Sequence, residues 1–319
     1  MYYQKIMSAS NLSTNIDDIS IIDLYKSLWE NKKKILLISI ISSLIFLLYA
    51  ASLKDIYESK ALLASSNSSS SNSSLNRFAG VASLAGFNLP SDSESNKLLI
   101  GLERLKSIDF FKMVMDKHDL YYEIMAVTSW DMDTNSFSVN EDIYNVSNNK
   151  WISDDIFSVN GKPSIQQAHS VFMKNFSVSY DGKGIFVSLA MKHYSPHVAK
   201  NILEVFIKEI NEITREEDVS TSIDIIEYLK EENLKTRNID LKTGIDSLIQ
   251  AQIEKIAIAN STPEYLFKVI SPPYSPENRS EPNRLIIVLI GFILGSIFSS
   301  MFFIITKIYI SNTANKQRI

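Results

Sequence analysis

Apolar residues in this chain fall into two long uninterrupted runs and several shorter periodic ones. The long runs are Ile35–Leu53, uncharged between Lys34 and Lys54, and Leu285–Thr306, uncharged between Arg284 and Lys307. As helices rising ~1.5 Å per residue they extend roughly 28 and 33 Å, close to the ~30 Å hydrocarbon core of a bilayer. A soluble core helix rarely stays apolar around its whole circumference for so long. Both runs are expected to be transmembrane helices. They divide the chain into a tail (1–34), a first span (35–53), a polar middle (54–284), a second span (285–306) and a tail (307–319).

The middle changes its period several times. Tyr57 to Ala64 has strand character, and Ser65 to Ser74 is almost wholly serine and asparagine, which cannot bury apolar area and reads as a loop. Leu98, Leu99, Leu102, Leu105, Ile108, Phe111 and Val114 recur at helical spacing and predict a helix over 91–115. Residues 128–164 are polar and aperiodic, an insertion of loops. Ile165 to Asn175 reads as a helix. Phe176, Val178 and Tyr180 then alternate, Asp181-Gly182-Lys183-Gly184 turns the chain, and Ile185, Val187, Leu189 and Met191 return as a hairpin.

The longest element follows. Between Pro196 and Pro263 no proline occurs, and Gly244 is the only glycine. Ser195 as N-cap and Pro196 at the first helical position mark the start of a helix expected to run about 196–261, some 90 Å, solvated or slightly broken at Arg215–Ser222. A helix of that length outruns the globule beside it and must meet partners. After Pro263, Tyr265–Ile270 returns as a strand. Pro272, Pro273, Pro276 and Pro282 make a stiff, extended strap into the second span. Within that span, Gly291 and Gly295 form a Gly-x-x-x-Gly step that lets another helix approach closely, within or between subunits.

The expected fold class is thus an α+β membrane protein. Two transmembrane helices flank a large extracytoplasmic domain, with an α/β base (about 54–195 and 263–284) and one very long projecting helix. Lys32, Lys33 and Lys34 abut the first span and Lys307 follows the second, so the positive-inside rule puts both termini in the cytoplasm. The 34-residue lead and the length of the first run argue against a cleaved signal. Ile16 to Trp29 carries an amphipathic patch leading into the membrane. A net charge of −4 gives no electrostatic case for nucleic acid, and the absence of cysteine excludes thiol chemistry and disulfides.

Candidate chemistry is sparse. His193 and His197 are four apart, but Pro196 separates them and the helix begins there, so a shared metal is not expected. Asp131-Met132-Asp133-Thr134-Asn135 with Asp142 begins like a calcium loop, yet Ser136 stands where the turn needs glycine. No phosphate cradle and no nucleophile elbow occur. No catalytic residue, cofactor or metal is assigned, and no aromatic cluster stands out as a polymer contact.

Several stretches carry a resemblance to a known family. Ile22-Asp23-Leu24-Tyr25-Lys26-Ser27-Leu28-Trp29 enters the first span, Gly80 to Gly86 alternates small and apolar residues, Ser195-Pro196-His197-Val198-Ala199 opens the long helix, and the proline-rich Ser271 to Asn283 joins a glycine-containing span. The chain resembles the Wzz-type polysaccharide co-polymerases, the chain-length determinants of bacterial O-antigen and related polysaccharides. Thirteen residues follow the second span, which points to the kinase-free branch. The resemblance implies a non-enzymatic homo-oligomeric ring, an octamer, in a bacterial inner membrane with a periplasmic bulk. Its implied partners are a separate membrane polymerase and the growing lipid-linked polysaccharide. Ser195, where an acidic residue often precedes the proline, and the long 128–164 insertion depart from the pattern. A two-span sensor with a periplasmic ligand-binding domain and a polysaccharide export adaptor are the alternatives.

Overall fold

The structure is a computed structural model, and it describes residues 28–66, 93–152, 163–180 and 186–316. It divides into two compact units, residues 1–53 with 282–319, and residues 54–281. The amphipathic lead up to Ser27, most of the Ser/Asn loop, the Gly80–Gly86 stretch and the Asp181–Gly184 turn lie outside the described residues.

The first unit is a helix pair. Helix α1 (Lys32–Ser52) and helix α8 (Arg284–Lys316) contain the two apolar runs, and both are long and apolar enough to cross a membrane. Leu36, Leu37, Leu44, Leu48, Phe298 and Phe302 remain exposed. Outward-facing bulky side chains are costly in water and suited to lipid.

The second unit is built on an antiparallel sheet with strand order β6-β7-β1-β8 among the described residues. Its strands are β1 (Tyr57–Ser65), β6 (Phe176–Tyr180), β7 (Phe186–His193) and β8 (Phe267–Ser271). Strand β1 is central, pairing Tyr57 with His193 and Leu63 with Val187 on one side, and Leu63 with Val269 on the other. Four expected strands thus meet in one sheet although more than a hundred residues separate β1 from its partners.

Helices cover the sheet. They are α2 (Ser93–Lys106), α3 (Ile108–His118), α4 (Tyr121–Met125), α5 (Ile165–Asn175) and the first half of α6 (Pro196–Lys235). Leu105, Phe111, Val114, Phe172, Leu189, Ile202, Phe206 and Ile210 are fully buried in one core. Phe172 stacks on both Phe176 and Phe206 at 4.7 Å, joining α5, β6 and α6. The single helix expected over 91–115 is broken at Ser107. Its extended backbone ends α2, and its hydroxyl accepts from the Phe110 N–H to cap α3.

Two further expectations need correction. Residues 128–164 are not all loops: β2 (Val127–Asp131) pairs with β3 (Ser136–Val139), and β4 (Tyr144–Asn145) with β5 (Lys150–Trp151). Left-handed Asn135 and Asn149 sit at the turns, where asparagine is tolerated better than most residues. Secondly, 196–261 is not one helix. Helix α6 ends at Lys235 after 40 residues, ~60 Å, and α7 (Ile239–Ser261) packs back along it. Asn238 accepts from the Asp240 and Leu241 N–H groups and so starts α7. The polar Arg215–Ser222 stretch, expected to be the weak point, is continuous helix. Its charges are met from both sides: Asp218 by Lys97, Lys255 and the Tyr265 hydroxyl, Glu217 by Arg104.

Candidate functional site

Within the helix pair, Gly291 and Gly295 face α1. A Cβ at Gly291 would lie 2.5 Å from the Phe46 Cβ. One at Gly295 would lie 2.6 Å from the Ser42 Cβ and 3.0 Å from the Ser39 Cα. These approaches exclude any larger residue without separating the helices. Closeness brings hydroxyls to backbone: Ser42 Oγ donates to the Gly291 carbonyl at 2.8 Å and Ser43 Oγ to that of Val288 at 3.4 Å. Ser39 and Ser299 are buried in the same unit. Lys32, Lys33 and Lys34 are exposed at the start of α1. Lys32 Nζ lies 4.1 Å from the centre of the Trp29 ring and Lys34 Nζ 5.9 Å from that of Phe303. Lys307 lies on the polar continuation of α8.

In the second unit, the proline-rich segment is tied to the start of β1. Ile56 N–H donates to the Glu281 carbonyl at 2.9 Å, and Ser280 N–H to the Ile56 carbonyl at 2.8 Å. Ser59 Oγ donates to the Tyr274 carbonyl at 2.7 Å, and Glu281 pairs with Lys192 at 2.5 Å. Pro273 is buried, Pro272 exposed, and Pro276 and Pro282 lie between. Prolines cannot donate, so the non-proline residues between them carry the bonds.

The long helix begins at Ser195, whose backbone is extended and whose Oγ accepts from the Val198 N–H at 3.5 Å, with Pro196 next. His193 and His197 diverge. His193 is buried, bonded to the Glu123 carbonyl at 2.9 Å, and its Nδ1 accepts from the Ser195 N–H at 3.0 Å. Burial holds its pKa below the usual imidazole value. His197 is exposed and lies 3.3 Å through Nδ1 from Ser275 Oγ. The Asp131–Asn135 stretch is the β2–β3 turn, and Asp131 Oδ1 accepts from the Asp133 N–H at 2.9 Å. That bond holds the Asp131 carboxyl below the ordinary carboxylate range. Among the described residues, no cluster of acidic or histidine side chains could hold a metal.

Three arrangements were missed at the level of sequence. Asn211, buried on α6, accepts from the Leu266 and Phe267 N–H groups at 2.7 and 2.8 Å and donates to the Ile207 and Phe267 carbonyls, stapling α6 to β8. Glu209, 2% exposed, takes Lys117 on one carboxylate oxygen and His118 on the other, both at 2.8 Å. Burial would raise its pKa, but these two partners together hold it below the usual value. Lastly, Trp130 makes edge-to-face contacts with Tyr57 (5.8 Å) and His197 (5.9 Å), joining residues from β1, β2 and α6. Buried asparagine and glutamate on a helix are the legible signal for the first two. The third has none, since it depends on sheet and helix placement.

Residues 17–117 match the family model for Wzz, chain length determinant protein. The match bears out the resemblance to the Wzz-type polysaccharide co-polymerases and connects the chain to regulation of polysaccharide chain length. With the two apolar helices, it makes the chain an inner-membrane protein with a large extra-membrane domain. No curated protein matches the sequence. Similar solved structures include a full-length bacterial polysaccharide co-polymerase, 12% identical over 92% of this chain and 99% of that one, TM-score 0.37. A fragment of WzzB, polysaccharide co-polymerase from Salmonella Typhimurium, is 11% identical over 72% of this chain and 100% of the fragment, TM-score 0.33.

Proposed function

We propose that this protein is a non-enzymatic regulator that sets the modal length of a surface polysaccharide by acting on a separate membrane polymerase. The observation that carries the reading is the match of residues 17–117, from the approach to the first span through β1 and α2 into α3, to the chain-length determinant family. Both termini lie in the cytoplasm, with Lys32, Lys33, Lys34 and Lys307 on that side, and residues 54–281 are periplasmic. The proline-rich segment connects this domain to the second span in the chain, and the Gly291/Gly295 step holds the second span to the first.

The working form is a ring of identical subunits, an octamer in keeping with the resemblance. Exposed apolar residues on the α6–α7 hairpin support assembly: Leu234 is 87% and Ile239 79% exposed, with Tyr228, Leu241 and Ile253 also open. Scattered surface apolars need no explanation, but large exposed apolar side chains concentrated near the turn of one hairpin favour a partner surface. Growing lipid-linked polysaccharide is the polymer whose length is set.

Deletion of the gene, followed by gel electrophoresis of the surface polysaccharide and complementation, tests this. The expected result is collapse of a clustered band pattern to a short-biased ladder. An unchanged pattern in O-antigen, capsule and exopolysaccharide would overturn the reading. Polymer retained inside the cell with none at the surface would assign the protein to export.

A further inference from the structure

The ring cluster around Trp130 differs from the aromatic packing of the core. Phe111, Phe172 and Phe206 are fully buried, whereas Tyr57 and Trp130 stay partly open and His197 is exposed. None of the three belongs to the buried core. The indole is nevertheless held in place. Its Nε1–H donates to Asn135 Oδ1 at 2.9 Å, and Asn135 itself sits in the left-handed region of the β2–β3 turn. Tyr57 and His197 pack edge to face against it, and His197 is itself tied to Ser275. A partly exposed ring fixed from several sides is preorganised, so little side-chain freedom is left to lose on binding.

Its rim is polar: the Asn135 amide bonds the indole, and His197 with Ser275 Oγ lies beside it. A pyranose has a complementary surface. One face presents C–H groups, which suit the negative face of an aromatic ring, and its edge presents hydroxyl donors.

We propose that Tyr57, Trp130 and His197, with Asn135 and Ser275 at the rim, form a binding site for a sugar unit of the polysaccharide. Trp130 carries the C–H face of one sugar ring, and the rim groups bond its hydroxyls. The site rests on the chain-length reading, for which it supplies a direct contact between regulator and product.

The test uses the full-length protein in nanodiscs and labelled, delipidated surface polysaccharide from the producing cells. Wild type should bind saturably, and Trp130→Ala and His197→Ala should each weaken binding at least tenfold. Trp130→Phe, which keeps a ring, should stay within threefold. His197 is exposed, so its variant reports the site without a folding defect. Wild type that does not bind, or both alanine variants binding like wild type, overturns the proposal. So does an emission shift of Trp130, read in a Trp29→Phe/Trp151→Phe variant, on moving from detergent to nanodiscs with no response to polysaccharide, which assigns the patch to the bilayer surface. If gene deletion collapses the length pattern while the protein binds no polysaccharide, the function stands and this site falls. If deletion leaves the pattern unchanged, the functional reading itself has failed.

Discussion

Replacing Asn211 with leucine should lower the stability of the 54–281 unit by about 3 kcal/mol, on the following magnitudes. The amide makes four hydrogen bonds, two of them from the backbone N–H groups of Leu266 and Phe267 at 2.7 and 2.8 Å. Leu266 is 3% and Phe267 0% exposed, so water cannot replace the lost acceptor. Each stranded buried donor costs ~1–3 kcal/mol. Leucine recovers part of this through added apolar burial, about 1–2 kcal/mol. In a unit of this size about 3 kcal/mol corresponds to a fall in Tm of roughly 6–12 °C. Thermal unfolding of detergent-solubilised protein, followed by tryptophan emission, reads it. Asn211→Asp keeps an acceptor for both N–H groups and should fall between. Thr214→Val is the control: its hydroxyl only donates back to the Ile210 carbonyl at 2.7 Å, within its own helix, and its loss should cost under ~1 kcal/mol. A leucine variant melting within 2 °C of wild type, or no lower than Thr214→Val, would refute the claim that this amide holds α6 to β8.

The Glu209 carboxylate, held below its ordinary pKa by Lys117 and His118, contributes stability at neutral pH that is lost as pH falls through the depressed folded value. Wild type should therefore lose Tm on acidification from pH 7 toward pH 3 more steeply than Glu209→Gln; parallel curves would contradict this. Gly295→Leu would drive its side chain into Ser39 and Ser42, separating the spans and breaking the Ser42–Gly291 bond, worth ~0.6–2 kcal/mol in a membrane. Modal chain length should be disturbed, and a wild-type band pattern at equal protein level would count against the seam. Leu234→Ser with Ile239→Ser should leave the subunit's melting within ~0.5 kcal/mol, because both side chains are exposed, while reducing oligomer mass in light scattering. Unchanged oligomer mass would remove the hairpin tip from the assembly surface.

The sequence by itself determined the elements whose physics is local. Two runs too long and too apolar for a soluble helix mark the helix pair, since composition and length alone decide whether a helix suits lipid. Alternation marks β6 and β7, strand character marks β1, the return after Pro263 marks β8, and helical spacing marks α5 and most of α6. Ser195-Pro196 reads as a helix start because capping involves only neighbouring residues. The break at 236–238 is also local, written in the Asn238 cap, although no proline or glycine stands at the break itself.

Only the tertiary structure decided how the distant parts meet. Arg215–Ser222 looks too polar to pack, but Lys97, Arg104, Lys255 and Tyr265 arrive from three other segments and match its charges. Residues 128–164 lack periodicity because their strands are two to five residues long, too short to show alternation. Trp130, Tyr57 and His197 lie some seventy residues apart in each direction and converge only because β1, β2 and α6 do. Burial, charge matching and ring contacts are properties of which surfaces face each other, and that depends on strand order and helix placement rather than on any local pattern.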